Sequence, residues 1–134
     1  MKNLIYLSLL ASLFFACKKD DTKDLIGNYS GSFRTLVNGK LVMSDFDVSL
    51  QSKQFKVTKG DKKGSGSYQR SKTSELSFTD QNMWTADFNW NVLLNGTYTT
   101  EVKGDSLILT KYPPSGPLAL PEYNYYQYRL KRIN

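Results

Sequence analysis

Histidine is absent from this 134-residue chain, and cysteine occurs once, as Cys17. Without histidine, the commonest general base and a leading metal ligand are missing. A single cysteine forms no internal disulfide and supplies no multi-thiolate zinc or iron–sulfur site. Proline is confined to one stretch, Pro113, Pro114, Pro117 and Pro121. Because proline has no N–H to give a sheet ladder, that stretch reads as an excursion loop. Long apolar runs are also scarce. Leu4 to Phe15 is the only one, interrupted by Tyr6, Ser8 and Ser12, whereas a helix that spans a bilayer needs about 18–20 apolar residues.

What the N-terminus does have is the layout of a secretory signal. Met1-Lys2-Asn3 brings one positive charge, the apolar stretch follows, and Ala16 places a small residue before Cys17. The segment Phe14-Phe15-Ala16-Cys17 resembles the lipobox of bacterial lipoproteins, cut before the cysteine by signal peptidase II. That resemblance implies a helical signal peptide over 1–16, removed on export, and palmitate-type acylation of Cys17. Each buried methylene contributes about 0.8 kcal/mol, so several chains on one residue hold a protein in a membrane essentially permanently. Lys18-Lys19-Asp20-Asp21 resembles the export signal that follows the lipidated cysteine in some surface-exposed Gram-negative lipoproteins. The same four residues fit a solvated polar tether equally well, so the expected location is the outer membrane, with exposure at the cell surface left open.

The expected organisation is a signal peptide at 1–16, a lipidated cysteine and tether at 17–24, and one domain at 25–134. Loss of Lys2 with the leader lowers the formal charge from +6 to +5. Such a balance favours anionic lipid or polysaccharide and gives no reason to expect nucleic acid.

After residue 25 the pattern alternates with period two, in short segments separated by Gly, Asn, Asp and Lys. Tyr29 and Phe33 mark a first strand, and Asn38-Gly39 is a strong hairpin signal. Phe46, Val48 and Leu50 alternate with Asp45, Asp47, Ser49 and Gln51. Phe55 and Val57, Tyr68, Leu76 and Phe78, Leu94 to Val102, Leu107 to Leu109, and Tyr126 to Leu130 continue the series. Trp84 to Val92 fits either a further strand or an ordered aromatic loop. Eight or nine short antiparallel strands in one small domain make a barrel or a sandwich.

Leu25-Ile26-Gly27-Asn28-Tyr29 is similar to the opening strand of lipocalin-like bacterial lipoproteins. Leu94-Asn95-Gly96-Thr97-Tyr98, Gly104-Asp105-Ser106-Leu107-Ile108-Leu109 and Tyr126-Gln127-Tyr128-Arg129-Leu130-Lys131-Arg132 resemble its closing strands. The resemblance implies an all-β fold: a single up-and-down antiparallel β-barrel of about eight strands. A barrel of that size is filled by side chains or holds one small ligand.

Catalytic constellations are thin. Gly64-Ser65-Gly66-Ser67 has the glycines of a phosphate loop but no following Gly-Lys-Ser/Thr, and reads as a tightly packed strand start. Asp45 and Asp47, two apart on a strand, share one face about 7 Å apart, a spacing open to acid–base pairs. The apolar face next to them makes solvent the better expectation. Lys53, Lys56, Lys59, Lys62 and Lys63 form the densest basic stretch, expected as a soluble edge and turn or a contact to acidic glycan or lipid headgroups. Asp105-Ser106-Leu107 fits an O-glycosylation pattern, and is more often simply a hairpin entry.

Aromatic residues offer more. Trp84, Phe88 and Trp90, with Asn82, Asn89 and Asn91 nearby, suit sugar stacking, the lining of an apolar cavity, or ordinary core. Tyr123, Tyr125, Tyr126 and Tyr128 form a second group, split between two strand faces. The leading expectation is a non-enzymatic, cofactor-free lipoprotein whose barrel binds a small apolar or amphipathic ligand on Phe46, Trp84, Phe88, Trp90 and Tyr98. The alternative is a filled barrel that acts as an interaction module, whether adhesin, glycan-system accessory or protease inhibitor, through exposed loop aromatics.

Overall fold

A computed structural model describes residues 22–37, 39–85, 88, 90–111 and 123–134, with the side chains of Val37, Tyr123 and Asn124 left aside. The leader, Cys17, Lys18, Lys19, Asp20, Asp21, Ala86, Asn89 and the proline stretch lie outside these residues.

The chain forms eight antiparallel strands: β1 (Gly27–Val37), β2 (Lys40–Gln51), β3 (Gln54–Lys59), β4 (Ser65–Lys72), β5 (Glu75–Asp80), β6 (Gly96–Lys103), β7 (Ser106–Lys111) and β8 (Tyr123–Arg132). Each pairs with the next, and β8 returns to β1, closing the barrel. Closure removes the free sheet edges that an open meander would expose. Alternation decides which residues point in. On β2 it is Phe46, Val48 and Leu50, and on β7 it is Leu107 and Leu109. Between β1 and β2, Gly39 has φ 72°, a conformation that costs glycine no Cβ clash, while Asn38 lies outside the described residues.

The interior is occupied by side chains. Eighteen buried residues from all eight strands and the closing segments form one contiguous core. Rings meet across it: Phe46 and Phe33 lie 4.5 and 4.7 Å from Tyr128, Tyr98 lies 5.8 Å from Tyr128 and 5.7 Å from Phe78, and Phe78 lies 5.3 Å from Phe55. Such tilted and edge-to-face pairs contribute about 0.5–1.5 kcal/mol each beyond the area they bury.

Chain packs against both ends. At the end where β1 begins, a 3-10 turn over Lys23–Leu25 inserts Leu25, which is fully buried. The Tyr29 hydroxyl donates to the Leu25 carbonyl at 2.9 Å, and the Arg132 guanidinium donates to Tyr29 Oη and to the Asp24 carbonyl. Thr22 is buried as well, so packing starts ahead of residue 25. At the opposite, loop end, a 3-10 turn over Trp90–Val92 leads into buried Leu93 and Leu94. Trp84 to Val92 therefore forms no strand among its described residues, and the barrel has eight strands, not nine.

Candidate functional site

Core tyrosines determine where the loop-end aromatics sit. Tyr98 Oη donates to the Leu93 or Asn95 carbonyl, both at 3.2 Å, and accepts the Asn95 N–H at 3.3 Å. Tyr128 Oη donates to the Val92 carbonyl at 3.4 Å. The two phenols thus hold the 92–95 segment onto the barrel, and Trp90 is carried just outside it. Burial, the largest cause, pushes both phenols well above the ordinary tyrosine value. They stay neutral, which keeps a hydrogen available for those carbonyls.

Outside the core lies a separate aromatic group. Phe88 stacks on Trp90 with centroids 4.9 Å apart and planes 28° apart, and meets Trp84 edge-on at 6.1 Å. Trp90 is 51% exposed, while Trp84 and Phe88 are half-buried. The Lys62 ammonium, from the β3–β4 turn, lies 4.2 Å from the Phe88 centroid and 5.8 Å from that of Trp84. A cation over exposed rings contributes about 0.5–1 kcal/mol.

A polar bracket anchors one side of this shelf. Asp80, at the end of β5, accepts the Trp84 indole N–H at 3.3 Å and two hydrogen bonds from Asn82, at 2.7 and 2.8 Å. Asn82 in turn donates to the Ser65 carbonyl at 3.0 Å, and the Asp80 N–H donates to Asn95 Oδ1 at 2.9 Å. The β5–β6 connection and the start of β4 are thus tied together beneath the rings. Gly66 belongs to this support: a Cβ there would strike the Thr79 backbone oxygen on β5. The Gly64-Ser65-Gly66-Ser67 stretch is therefore a place where strands close up, and β4 begins within it.

The five residues expected to line one cavity fall into two sets. Phe46 and Tyr98 are buried in the barrel core. Trp84, Phe88 and Trp90 form the outer shelf and are not members of that core. Elsewhere, Asp45 and Asp47 turn away from the core, and Asp45 is ion-paired with Lys59 at 2.9 Å. Its hydrogen bond raises the Lys59 ammonium above its usual value. The five lysines of the basic stretch do not make one patch: Lys53 sits in the β2–β3 turn, Lys56 points outward in mid-strand, and Lys62 joins the shelf.

Sequence reading overlooked Asp80 and Lys62 as partners of the aromatics. A signal existed for Asp80, which continues the inward series Leu76, Phe78, where an acid at a strand end needs partners. Lys111 likewise continues Leu107, Leu109 inward. Its ammonium donates to the Asn95 carbonyl at 3.0 Å and lies 5.2 Å from the Tyr98 ring centroid. Burial lowers its pKa. No family model, curated protein or solved structure matches this chain, which leaves its residues and their geometry to carry the functional reading.

Proposed function

We propose that this chain is a membrane-anchored, non-catalytic recognition module that binds carbohydrate on the Trp84–Phe88–Trp90 shelf, with the barrel as its scaffold. The carrying observation is the segregation of the aromatics: Phe33, Phe46, Phe78, Tyr98 and Tyr128 fill the interior, while both tryptophans stand outside it. Half-exposed indole beside a carboxylate, a carboxamide and an ammonium suits a sugar, whose C–H face stacks on rings while its hydroxyls find donors and acceptors. This favours the interaction-module reading over a carrier of apolar cargo, because an internal ligand would have to displace rings already in mutual contact.

The proposed anchor is acylated Cys17, in the manner of the lipocalin-like bacterial lipoproteins that the sequence resembles, with the outer membrane as the proposed site. Thr22 packs at the end of the barrel opposite the shelf. Residues 18–21 span at most about 14 Å when extended, so the end that holds Thr22 and Leu25 faces the bilayer and the shelf faces away from it.

The test uses a convenient fact: the chain has two tryptophans, both on the shelf. Their fluorescence reports on that site alone. Titration with a panel of neutral and acidic bacterial oligosaccharides is expected to give a saturable spectral change with at least one class. If the panel gives none, while a fatty-acid probe binds with one-to-one stoichiometry, the carbohydrate reading is lost and the carrier reading replaces it.

A further inference from the structure

At the end where Thr22 and Leu25 pack, three hairpins turn in two residues each: Ser52-Lys53, Thr73-Ser74 and Gly104-Asp105. Each turn has an exposed lysine in it or beside it, Lys53, Lys72 and Lys103, and exposed Lys23 and Lys131 lie at the same end. Three exposed apolar residues share this rim: Ile26, Val102 and Ile133, at 37%, 45% and 59%. The register puts them on one arc. Lys103 pairs with Ser106 and Ser106 with Lys131, while the Ile133 N–H donates to the Asn28 carbonyl at 2.8 Å, two residues after Ile26. From β6 through β7 and β8 to the start of β1, the rim thus carries Val102, Lys103, Lys131, Ile133, Ile26 and Lys23. The carboxylates of this end have partners or stand back from the arc. Asp24 is ion-paired with Arg70 at 3.2 Å, Glu75 lies 3.9 Å from the Lys72 ammonium, and Asp105 acts on the Arg132 guanidinium. Glu101 sits a row further in, opposite Ile108. Lys23, Lys53, Lys103 and Lys131 make no ion pair among the described residues.

We propose that this arc is a docking surface for an anionic lipid bilayer, against which the barrel stands directly. The proposal rests on the reading of Cys17 as the anchor, because the chain between Cys17 and Thr22 reaches at most about 14 Å and holds this rim, and no other part of the barrel, at the level of the headgroups. Charge and shape suit that position. The ammoniums of Lys23, Lys103 and Lys131 meet lipid phosphates, while Ile26, Val102 and Ile133 enter the boundary between headgroups and acyl chains, as the apolar residues of interfacial segments do. A basic side chain at an anionic leaflet raises partition about fivefold. Docking would hold the shelf at the far end of the barrel, turned outward to its ligand. The surface itself needs neither the acyl chains nor the shelf, so it can be measured without them.

Residues 17–134 carrying Cys17→Ser contain all eight strands and the whole core, and they test the surface with no acyl chain present. Co-sedimentation with phosphatidylcholine vesicles containing about 30% phosphatidylglycerol is expected to exceed that with phosphatidylcholine alone by about tenfold or more. The triple variant Lys23→Gln, Lys103→Gln, Lys131→Gln should lose about a hundredfold in partition. Removing the same charge elsewhere, by Lys40→Gln, Lys56→Gln and Lys63→Gln, should cost no more than about threefold, because screening confines the attraction to charges near the leaflet. All six lysines are exposed, so both variants should melt like the parent. Brominated lipid should leave the emission of Trp84 and Trp90 unquenched, since the shelf is at the other end. Equal binding to the two kinds of vesicle, no binding to either, equal losses in the two triple variants, or quenched tryptophan emission overturns the proposal. The mass of the full chain expressed in a bacterium reports acylation of Cys17 separately, so failure of the surface and failure of the anchor are told apart.

Discussion

The molecule uses aromatic rings in two places for two purposes. Inside, Phe46, Phe78, Tyr98 and Tyr128 are almost fully buried, and the tyrosine hydroxyls are spent on backbone carbonyls. Outside, Trp84, Phe88 and Trp90 rest on a polar bracket of Asp80, Asn82 and Ser65, with a lysine against them and one indole half in solvent. The first set is there because an eight-stranded barrel has to be filled. The second set contributes little to that core, yet the β5–β6 connection, the start of β4 and Lys62 of the β3–β4 turn are organised around it. Stability and recognition are thus assigned to different rings, and Tyr98 and Tyr128 are the joint between them, since they hold the segment that carries Trp90.

The largest expected contrast is in stability. Tyr98→Ala removes a fully buried ring and should cost about 3–5 kcal/mol, whereas Trp90→Ala should stay within about 0.5 kcal/mol of the parent. Urea denaturation of both variants measures this, and equal losses would erase the distinction. Next is the joint itself. Tyr98→Phe keeps the ring and removes the hydrogen bonds to the 93–95 segment, at an expected cost of about 1–2 kcal/mol. It should also alter tryptophan emission, although no tryptophan has been changed. An unaltered spectrum would mean that the shelf is held independently of the core.

Alkaline pH probes the interior through its phenols. Below pH 10 the phenols are neutral in both folded and unfolded chains, so they contribute no pH dependence. Above the ordinary value of 10.0 the unfolded chain ionises while Tyr98 and Tyr128 resist it. Stability should therefore fall as pH rises past 10, and Tyr128→Phe should lessen that fall. Lys111 has the opposite sign. Its charged form is disfavoured by burial in the folded state, so Lys111→Met should raise the melting temperature at neutral pH, with the gain shrinking as pH approaches 10.5. The smallest effect belongs to Lys62→Met, which removes a cation–ring contact of about 0.5–1 kcal/mol and should lower the unfolding free energy by no more than that.

Much of the barrel was legible because alternation leaves few choices. Phe46, Val48 and Leu50 against Asp45, Asp47 and Ser49 specify which face of β2 is buried, and a register slip of one residue would reverse it. The hairpin of β1 and β2 around Gly39 was readable for a similarly local reason. Trp84 to Val92 was not, because its alternation mimics a strand while the physical arrangement is set from far along the chain, by Tyr98, Tyr128 and Asp80. The short β3 was hidden too. Lys59 and Gly60 end it where Phe46 still continues β2, and no local pattern shows that β2 will run on paired with β1 beyond the end of β3.

The measurement that tests the account most directly is carbohydrate titration of the parent, Trp90→Ala and Phe46→Leu chains, with the melting temperature recorded on the same samples. Separate roles for the two aromatic sets predict that Trp90→Ala melts like the parent and loses at least tenfold in affinity, while Phe46→Leu melts lower and binds as before. Binding that survives Trp90→Ala but disappears in a folded Phe46→Leu chain would place the ligand inside the barrel and contradict the account.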